Sequence, residues 1–370
     1  ETGDMFENFK VFETTFAGRK ITFETGKMAG LTNGHCVVRY GETVVMTNVT
    51  AARSPREGVD FFPLSVDYEE KLYAVGKIPG GYTKREGKPT EAAILTSRMI
   101  DRPIRPLFPA DLRNDVSVIN TVLSNDQDND PGICALVGTA FALSISDVPW
   151  NGPIAGVWLG LKEDGTFLIN PTVEERKDSL MHVTVAGTKE KIVMIEAGAS
   201  EVTEEVMLEG LKYAHSVIKE MCEFIESVAK EIGKEKMPYE AHDVNHEIYD
   251  KIKETEYANI QHALDTDDKN IRDERIGVIT DRILETMGEE YPDLATELEE
   301  IMYKMQKEIV RAWLYEGRRV DGRGLDEIRP LAAEVDLLPR VHGSGMFTRG
   351  QTQVLTLATL APLSEAQRLD

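Results

Sequence analysis

The sequence predicts an α+β/α/β protein: a strand-rich unit, then an all-helical stretch, then the start of a second copy of the first unit. Three observations carry this reading. Short β-branched runs bounded by turn residues dominate residues 8–125. Residues 240–315 lack such runs and read as three or four amphipathic helices. A block near residue 34 returns near residue 343, at an offset of 309. At 370 residues the chain is also long enough for two or three domains.

Taken in order, residues 1–4 read as a vector remnant ahead of a natural start at Met5. Strands are expected at Lys20–Thr25, Cys36–Tyr40 and Thr43–Thr50, with Gly41-Glu42 as a two-residue hairpin turn. Phe62–Tyr68 and Val116–Leu123 continue the pattern. Asp130-Pro131 opens a helix, with Asp as N-cap and Pro at the first helical position. Ile133–Ile145 is apolar nearly all round, so that helix is expected to be buried.

Strands return at Ile154–Leu159, Phe167–Ile169, His182–Ala186 and Ile192–Ala197. A long helix follows from about Thr203 to Ile232, with Leu211, Ala214, Ile218, Met221, Ile225, Val228 and Ile232 in one apolar stripe. The helical stretch after it is expected to break near Asp265–Asp268 and Tyr291-Pro292. In the repeat, Gly34/Gly343, Gly41/Gly350, Thr43/Thr352, Thr47/Thr356 and Thr50/Thr359 coincide. The second copy is expected to be incomplete at Asp370.

Charge is the most uneven property. The chain carries 42 basic and 64 acidic residues, a formal −22, which taken whole argues against a nucleic-acid binder. Residues 201–310 hold 29 acidic and 13 basic residues, a net of −16. Residues 76–106 run the other way, with seven basic and three acidic residues, a net of +4. No run of about 18 apolar residues exists to span a membrane. Three scattered cysteines suit a reducing cytoplasm rather than a disulfide framework.

The basic window holds the best candidate site. In Gly80-Gly81-Tyr82-Thr83-Lys84-Arg85-Glu86-Gly87-Lys88-Pro89, glycines free the backbone for an exposed loop. A ring among cations suits single-stranded nucleic acid, because bases stack on rings while Lys and Arg meet phosphates. The spacing excludes a Walker A loop, and a solvated surface loop is the alternative. A helix from Thr90, stopped by Pro103, places Arg98 and Arg102 four apart on one face. With Arg105 they form a candidate phosphate clamp, unless Glu91 or Asp101 neutralises part of the set.

Other patterns are weaker. Asp126, Asp128 and Asp130 fail the calcium-loop pattern at Pro131 and Val137, and a turn plus N-cap explains them. His242 and His246 are spaced as on one helix but lack a third ligand, Asp243 being expected to point elsewhere; they read as surface residues. Cys36, Cys134 and Cys222 read as core.

Several long blocks, in order, resemble bacterial polynucleotide phosphorylases (polyribonucleotide nucleotidyltransferases). They are Thr25-Gly26-Lys27-Met28-Ala29, Arg39-Tyr40-Gly41-Glu42-Thr43, Asp60-Phe61-Phe62-Pro63-Leu64, Gly76-Lys77-Ile78-Pro79-Gly80-Gly81, Arg98 through Phe108, Gly152-Pro153-Ile154, Asp321-Gly322-Arg323 and Gly343 through Gly350. The resemblance implies a ribonuclease-PH-like core (ribosomal protein S5 domain 2-like) in two halves, 5–146 and 147–236. It implies an all-helical domain at 237–316 and the start of a second such core at 317–370. KH and S1 domains are expected to follow in family members.

It also implies 3′-to-5′ phosphorolysis of RNA: phosphate attacks the terminal linkage and releases a nucleoside diphosphate, with Mg2+ or Mn2+ assisting. The catalytic and metal residues are expected beyond Asp370, so none is named here. The resemblance assigns RNA binding to Tyr82, Lys84, Arg85, Arg98, Arg102, Arg105 and Arg349. The family loop often has two aromatics and two arginines, where this chain has Thr83 and Lys84 at the second and third positions. Implied partners are single-stranded RNA, two further copies in a homotrimer, and the endoribonuclease and RNA helicase of a degradation complex. The alternative is a non-catalytic RNA-binding or protein-docking scaffold.

Overall fold

The computed structural model describes residues 6–366, so the remnant expected at 1–4, the start at Met5 and the terminal Asp370 lie outside the described residues. The chain forms two compact units, residues 1–242 and 243–370. In the first, β1 (Lys10–Phe16), β2 (Arg19–Thr25), β3 (Gly34–Tyr40), β4 (Thr43–Ala51), β5 (Leu64–Glu70) and β6 (Val116–Ser124) make a six-stranded sheet in the order β1-β2-β3-β4-β6-β5. Among the described residues, only β5 and β6 pair in parallel. Helix α1 (Glu91–Ile104) makes the crossover between them. Helix α2 (Pro131–Ile145) follows β6.

A second sheet holds β7 (Ala155–Leu161), β8 (Phe167–Ile169), β9 (Met181–Gly187) and β10 (Ile192–Ala199), in the order β10-β9-β7-β8. The short α3 (Val173–Lys177) lies between β8 and β9, and α4 (Glu204–Ile232) closes the unit. The expected strands are all present, each within a few residues of its bounds.

Helix α2 is the centre of this core. Asp130 caps it by accepting from the Ile133 N–H at 2.9 Å, and 14 of its 15 residues are buried. The sequence requires this, because a helix apolar on every side has no face to offer water. Phe141 stacks on Phe23 at 4.8 Å, and Gly138 lets the helix approach Val38 and Thr47. Thr47 and Thr139 both donate to the Asn120 Oδ1, at 2.7 and 3.2 Å, which satisfies a buried polar cluster. The stripe of α4 buries Ala214, Ile218, Met221, Ile225 and Val228.

Three expectations are corrected. Pro103 does not stop α1, which runs to Ile104, because the Arg105 N–H bonds to the Asp101 carbonyl and carries the turn past the proline. His242 and His246 do not share a helix, since α5 begins at His246 after an irregular segment. Asp243 does not point elsewhere: it accepts from His246 Nε2 at 2.9 Å.

The second unit pairs a helical bundle with a small sheet. Helices α5 (His246–Leu264), α6 (Lys269–Met287) and α7 (Leu294–Tyr315) break where the sequence predicted and bury Ile252, Ile260, Ile283, Ile301 and Ile309. Strands β11 (Leu331–Val335), β12 (Gly343–Arg349) and β13 (Thr352–Ala358) form the sheet. The repeat is structural. Gly34 pairs with Val49 and Tyr40 with Thr43, and Gly343 pairs with Ala358 and Arg349 with Thr352 in the same register. The turn glycines match too, Gly41 at φ 62° and Gly350 at φ 60°.

Candidate nucleic-acid interface

The basic window becomes a projecting loop followed by α1. Gly76 ends a 3-10 turn in the left-handed conformation, φ 72°, which only glycine adopts without strain. Glu86 ties the far side of the loop down. Its carboxylate accepts from the Leu72 N–H at 2.7 Å and from Lys71 Nζ at 3.0 Å, and these two donors hold it below the usual carboxylate range. Between the anchors, the Lys84 N–H reaches the Gly81 carbonyl at 3.0 Å and closes a turn.

That turn presents Tyr82 at 102% exposure, as free as in an extended chain. Lys84 follows in the left-handed region, φ 49°. Lys84, Arg85 and Arg98 are exposed and have no ion pair among the described residues. Helix α1 is capped by the Thr90 hydroxyl, which accepts from the Ala93 N–H at 3.1 Å. Its mixed sequence, with apolar Ala93, Ile100 and Ile104 inward, turns Arg98 outward.

The other predicted residues differ. Arg102 donates to the Glu196 carboxylate on β10, and Arg105 donates to both oxygens of Asp101, with its Nε at 2.6 Å. Arg105 also donates to the Leu64 carbonyl at 3.1 Å. The three guanidiniums therefore do not form one clamp: two are occupied within the protein and one is free. Arg349 belongs to the second unit, exposed at the end of β12 beside its turn.

The three cysteines are buried, as expected. Burial alone pushes the Cys36 thiol well above the thiolate range, and burial first, then Glu226, pushes Cys222 up to about 12. Neither supplies a nucleophile at neutral pH.

The sequence reading missed a second feature of the first unit, a cleft of about 640 Å³ between the four-stranded sheet and a wall made by α1, the start of α2 and the end of β5. One wall is the open face of the four-stranded sheet. Cross-strand register aligns Trp158, Thr184 and Glu196 in one row, with His182 in the next. The opposite wall holds Glu70, Leu95, Met99 and Asp130. Arg176 lies over the Trp158 ring at 4.3 Å, and the His182 ring stands perpendicular to it. Alternation in each strand is visible in sequence, but which rows of β7, β9 and β10 meet is not.

Comparison with known proteins decides the family. The 3′ exoribonuclease family matches in its domain 1 over residues 17–149 and its domain 2 over residues 152–217. The polyribonucleotide nucleotidyltransferase RNA-binding domain matches residues 247–324. A polyribonucleotide nucleotidyltransferase of Ruminiclostridium cellulolyticum is 55% identical over 363 residues, 98% of this chain and 52% of that protein. This chain belongs to the polyribonucleotide nucleotidyltransferase family.

Relatives of the same name from Caldicellulosiruptor saccharolyticus and Clostridioides difficile are each 51% identical, over 98% and 99% of this chain and 52% of their own lengths. The chain thus spans about half the length of the curated relatives it matches. The first unit has the ribonuclease-PH-like core that the resemblance implied. A solved rice Rrp46 chain aligns over 62% of this chain and 98% of its own, at 13% identity and a TM-score of 0.45, too loose a likeness to argue from. Among the described residues, no helix is long and apolar enough to cross a membrane.

Proposed function

We propose that this chain handles single-stranded RNA for a 3′-to-5′ phosphorolytic exoribonuclease. In that reaction phosphate attacks the terminal linkage, shortening the RNA and releasing a nucleoside diphosphate. On this reading the chain keeps RNA contacts but lacks the phosphorolytic site, and it is inactive alone.

The observation that carries the proposal is the loop at 81–85. A fully exposed Tyr82 stands beside Lys84 and Arg85, with Arg98 on the next element, and none of these cations has an ion pair among the described residues. An exposed ring offers a base a stacking surface, and unpaired cations release counterions from phosphates. Arg102, Arg105 and Arg349 are proposed as secondary contacts. Arg102 and Arg105 must first give up carboxylate partners.

The family match over residues 247–324 is to an RNA-binding domain, yet these residues hold 20 acidic and 12 basic side chains, a net of −8. RNA contacts there would come from local geometry rather than net charge, and the basic loop is the stronger attractor.

Mg2+ or Mn2+ and inorganic phosphate belong to the proposed reaction. Among the described residues no group of three or more His, Cys, Asp or Glu side chains is placed to hold a metal ion, so no step through it is assigned to them. The homotrimer, the endoribonuclease and helicase partners, the cytoplasmic location and the four-part division at 146, 236 and 316 are proposed on family grounds. The test of activity is incubation with poly(A), phosphate and magnesium. No ADP release is expected from this chain alone, and robust release would overturn that part.

A further inference from the structure

One side chain closes the mouth of the loop between β2 and β3. The ladder between these strands ends at Glu24 opposite Val37. Beyond it, the Thr25 hydroxyl donates to the His35 carbonyl at 2.9 Å, and the Gly26 N–H donates to His35 Nε2, also at 2.9 Å. An imidazole nitrogen accepts only when it carries no proton, so this contact fixes the neutral ring with its proton on Nδ1. Nδ1 faces the Thr32 hydroxyl oxygen at 3.4 Å, and that hydroxyl donates to the Ala29 carbonyl at 2.7 Å. The two nitrogens of His35 therefore touch the two ends of the loop at 26–33.

The loop has little else to keep it closed. Ala29 sits at φ 54°, in the left-handed region, which disfavours a residue with a Cβ. Leu31 near the tip is 104% exposed, and Met28 is exposed too, so apolar packing contributes little.

The surroundings oppose a proton on the ring. Lys234, in the segment after α4, donates through Nζ to the Asn33 carbonyl at 2.7 Å. Burial first, then this ammonium, lowers the His35 pKa. Asn48, opposite His35 across β3 and β4, is neutral. The charges on the neighbouring strands are paired elsewhere, Glu24 with Arg39 at 2.6 Å and Lys10 with Glu231 at 3.5 Å. On the loop itself, Lys27 lies over the rings of Phe6 and Phe9. Asp147, just after α2, accepts from the Asn33 side chain at 2.8 Å. Among the described residues, no carboxylate bonds to the ring.

We propose that His35 is a proton-operated catch on the loop at 26–33. Neutral, it accepts from Gly26 and holds the loop closed. A proton on Nε2 faces the Gly26 N–H donor to donor, so the contact breaks and the loop opens. The folded state disfavours that proton, and the unfolded chain does not. The contact therefore adds its full stability above about pH 6.5 and loses it as pH falls through the lower value of the folded chain. The catch works independently of the RNA contacts proposed at 81–85.

Amide exchange of the whole chain, corrected for the intrinsic pH dependence of exchange, tests this at about pH 7.5 and about pH 5.5. Protection of the Gly26 amide is expected to fall about tenfold or more at the lower pH, while amides of the β3–β4 ladder keep theirs. His35→Gln offers an uncharged acceptor at both pH values, so its Gly26 protection is expected to change by less than about twofold. Equal protection of the parent at both pH values overturns the proposal, as does the same fall in His35→Gln or an equal fall across the β3–β4 ladder. Should the variant fold poorly, the nitrogen NMR shifts of the His35 ring in the unmodified chain decide. A neutral Nδ1–H tautomer that titrates below about pH 6.5 supports the catch, and an Nε2–H tautomer or a midpoint at or above that value overturns it.

Discussion

Arg102 donates to the Glu196 carboxylate, joining the last turn of α1 to the edge strand β10, whereas Arg98 one turn earlier has no ion pair among the described residues. Neighbouring turns of one helix thus present a neutralised guanidinium and a free one. A cation already paired must lose its partner before it meets a phosphate, so the two contribute unequally to RNA capture.

Arg98→Gln is therefore expected to weaken binding of an oligo(A) strand at low salt more than Arg105→Gln does, whose parent side chain is held by Asp101 and the Leu64 carbonyl. Exposed ion pairs contribute only about 0.2–1 kcal/mol, so neither change should unfold the protein. Fluorescence anisotropy measures both, and equal losses would contradict the distinction.

The repeat predicts opposite outcomes at two matched glycines. A Cβ at Gly34 would lie 2.3 Å from the Ala142 carbonyl oxygen and 2.7 Å from Ser146 Cβ. At Gly343 the nearest atom is Ala358 Cβ at 3.4 Å, an ordinary contact. Gly34→Ala should destabilise the first unit by about 1–3 kcal/mol or more, and Gly343→Ala should be tolerated. Denaturant unfolding of the two variants checks this, and similar midpoints would refute it.

Much of this architecture was readable in advance because it rests on local chemistry. The Gly41 turn, the Asp130-Pro131 helix start and the stripe of α4 each follow from a few adjacent residues. What stayed hidden depends on distant partners. Nothing near Arg102 in the sequence points to Glu196, 94 residues away, so its neutralisation could not be foreseen. Asp101 was foreseen, with Glu91, as a carboxylate that neutralises part of the set because it lies in the same short segment, four residues before Arg105. The cleft row of Trp158, Thr184 and Glu196 needs the registers of three strands at once.

Asn120 joins two buried hydroxyls, those of Thr47 and Thr139. Asn120→Ala leaves both without an acceptor and opens a small void at the β4–β6–α2 contact. A loss of about 2–4 kcal/mol is expected in urea unfolding. A loss below about 1 kcal/mol would mean that water or repacking replaces the amide.

Asp243 sets an acid limit in the second unit. A hydrogen bond from Lys304 is the largest of the effects holding its carboxyl down from 3.8 to about 2, with the Val244 N–H and His246 adding to it. The unfolded chain binds the proton more readily, so this stabilisation is complete above pH 3.8 and is lost as pH falls towards 2. Asp243→Asn should make the melting temperature fall less steeply between those values. Identical slopes for parent and variant would contradict the assignment.

The most direct test of the central claim is the salt dependence of oligo(A) binding by the chain and by the triple variant Lys84→Glu, Arg85→Glu, Arg98→Glu. Each phosphate neutralised on a single strand contributes about 0.7 to the slope of log affinity against log salt. If the three free cations carry the contact, the variant binds much more weakly and its slope is shallower by about 2. An affinity and slope unchanged from the parent would contradict the account and leave the loop a solvated surface element on a protein-docking scaffold.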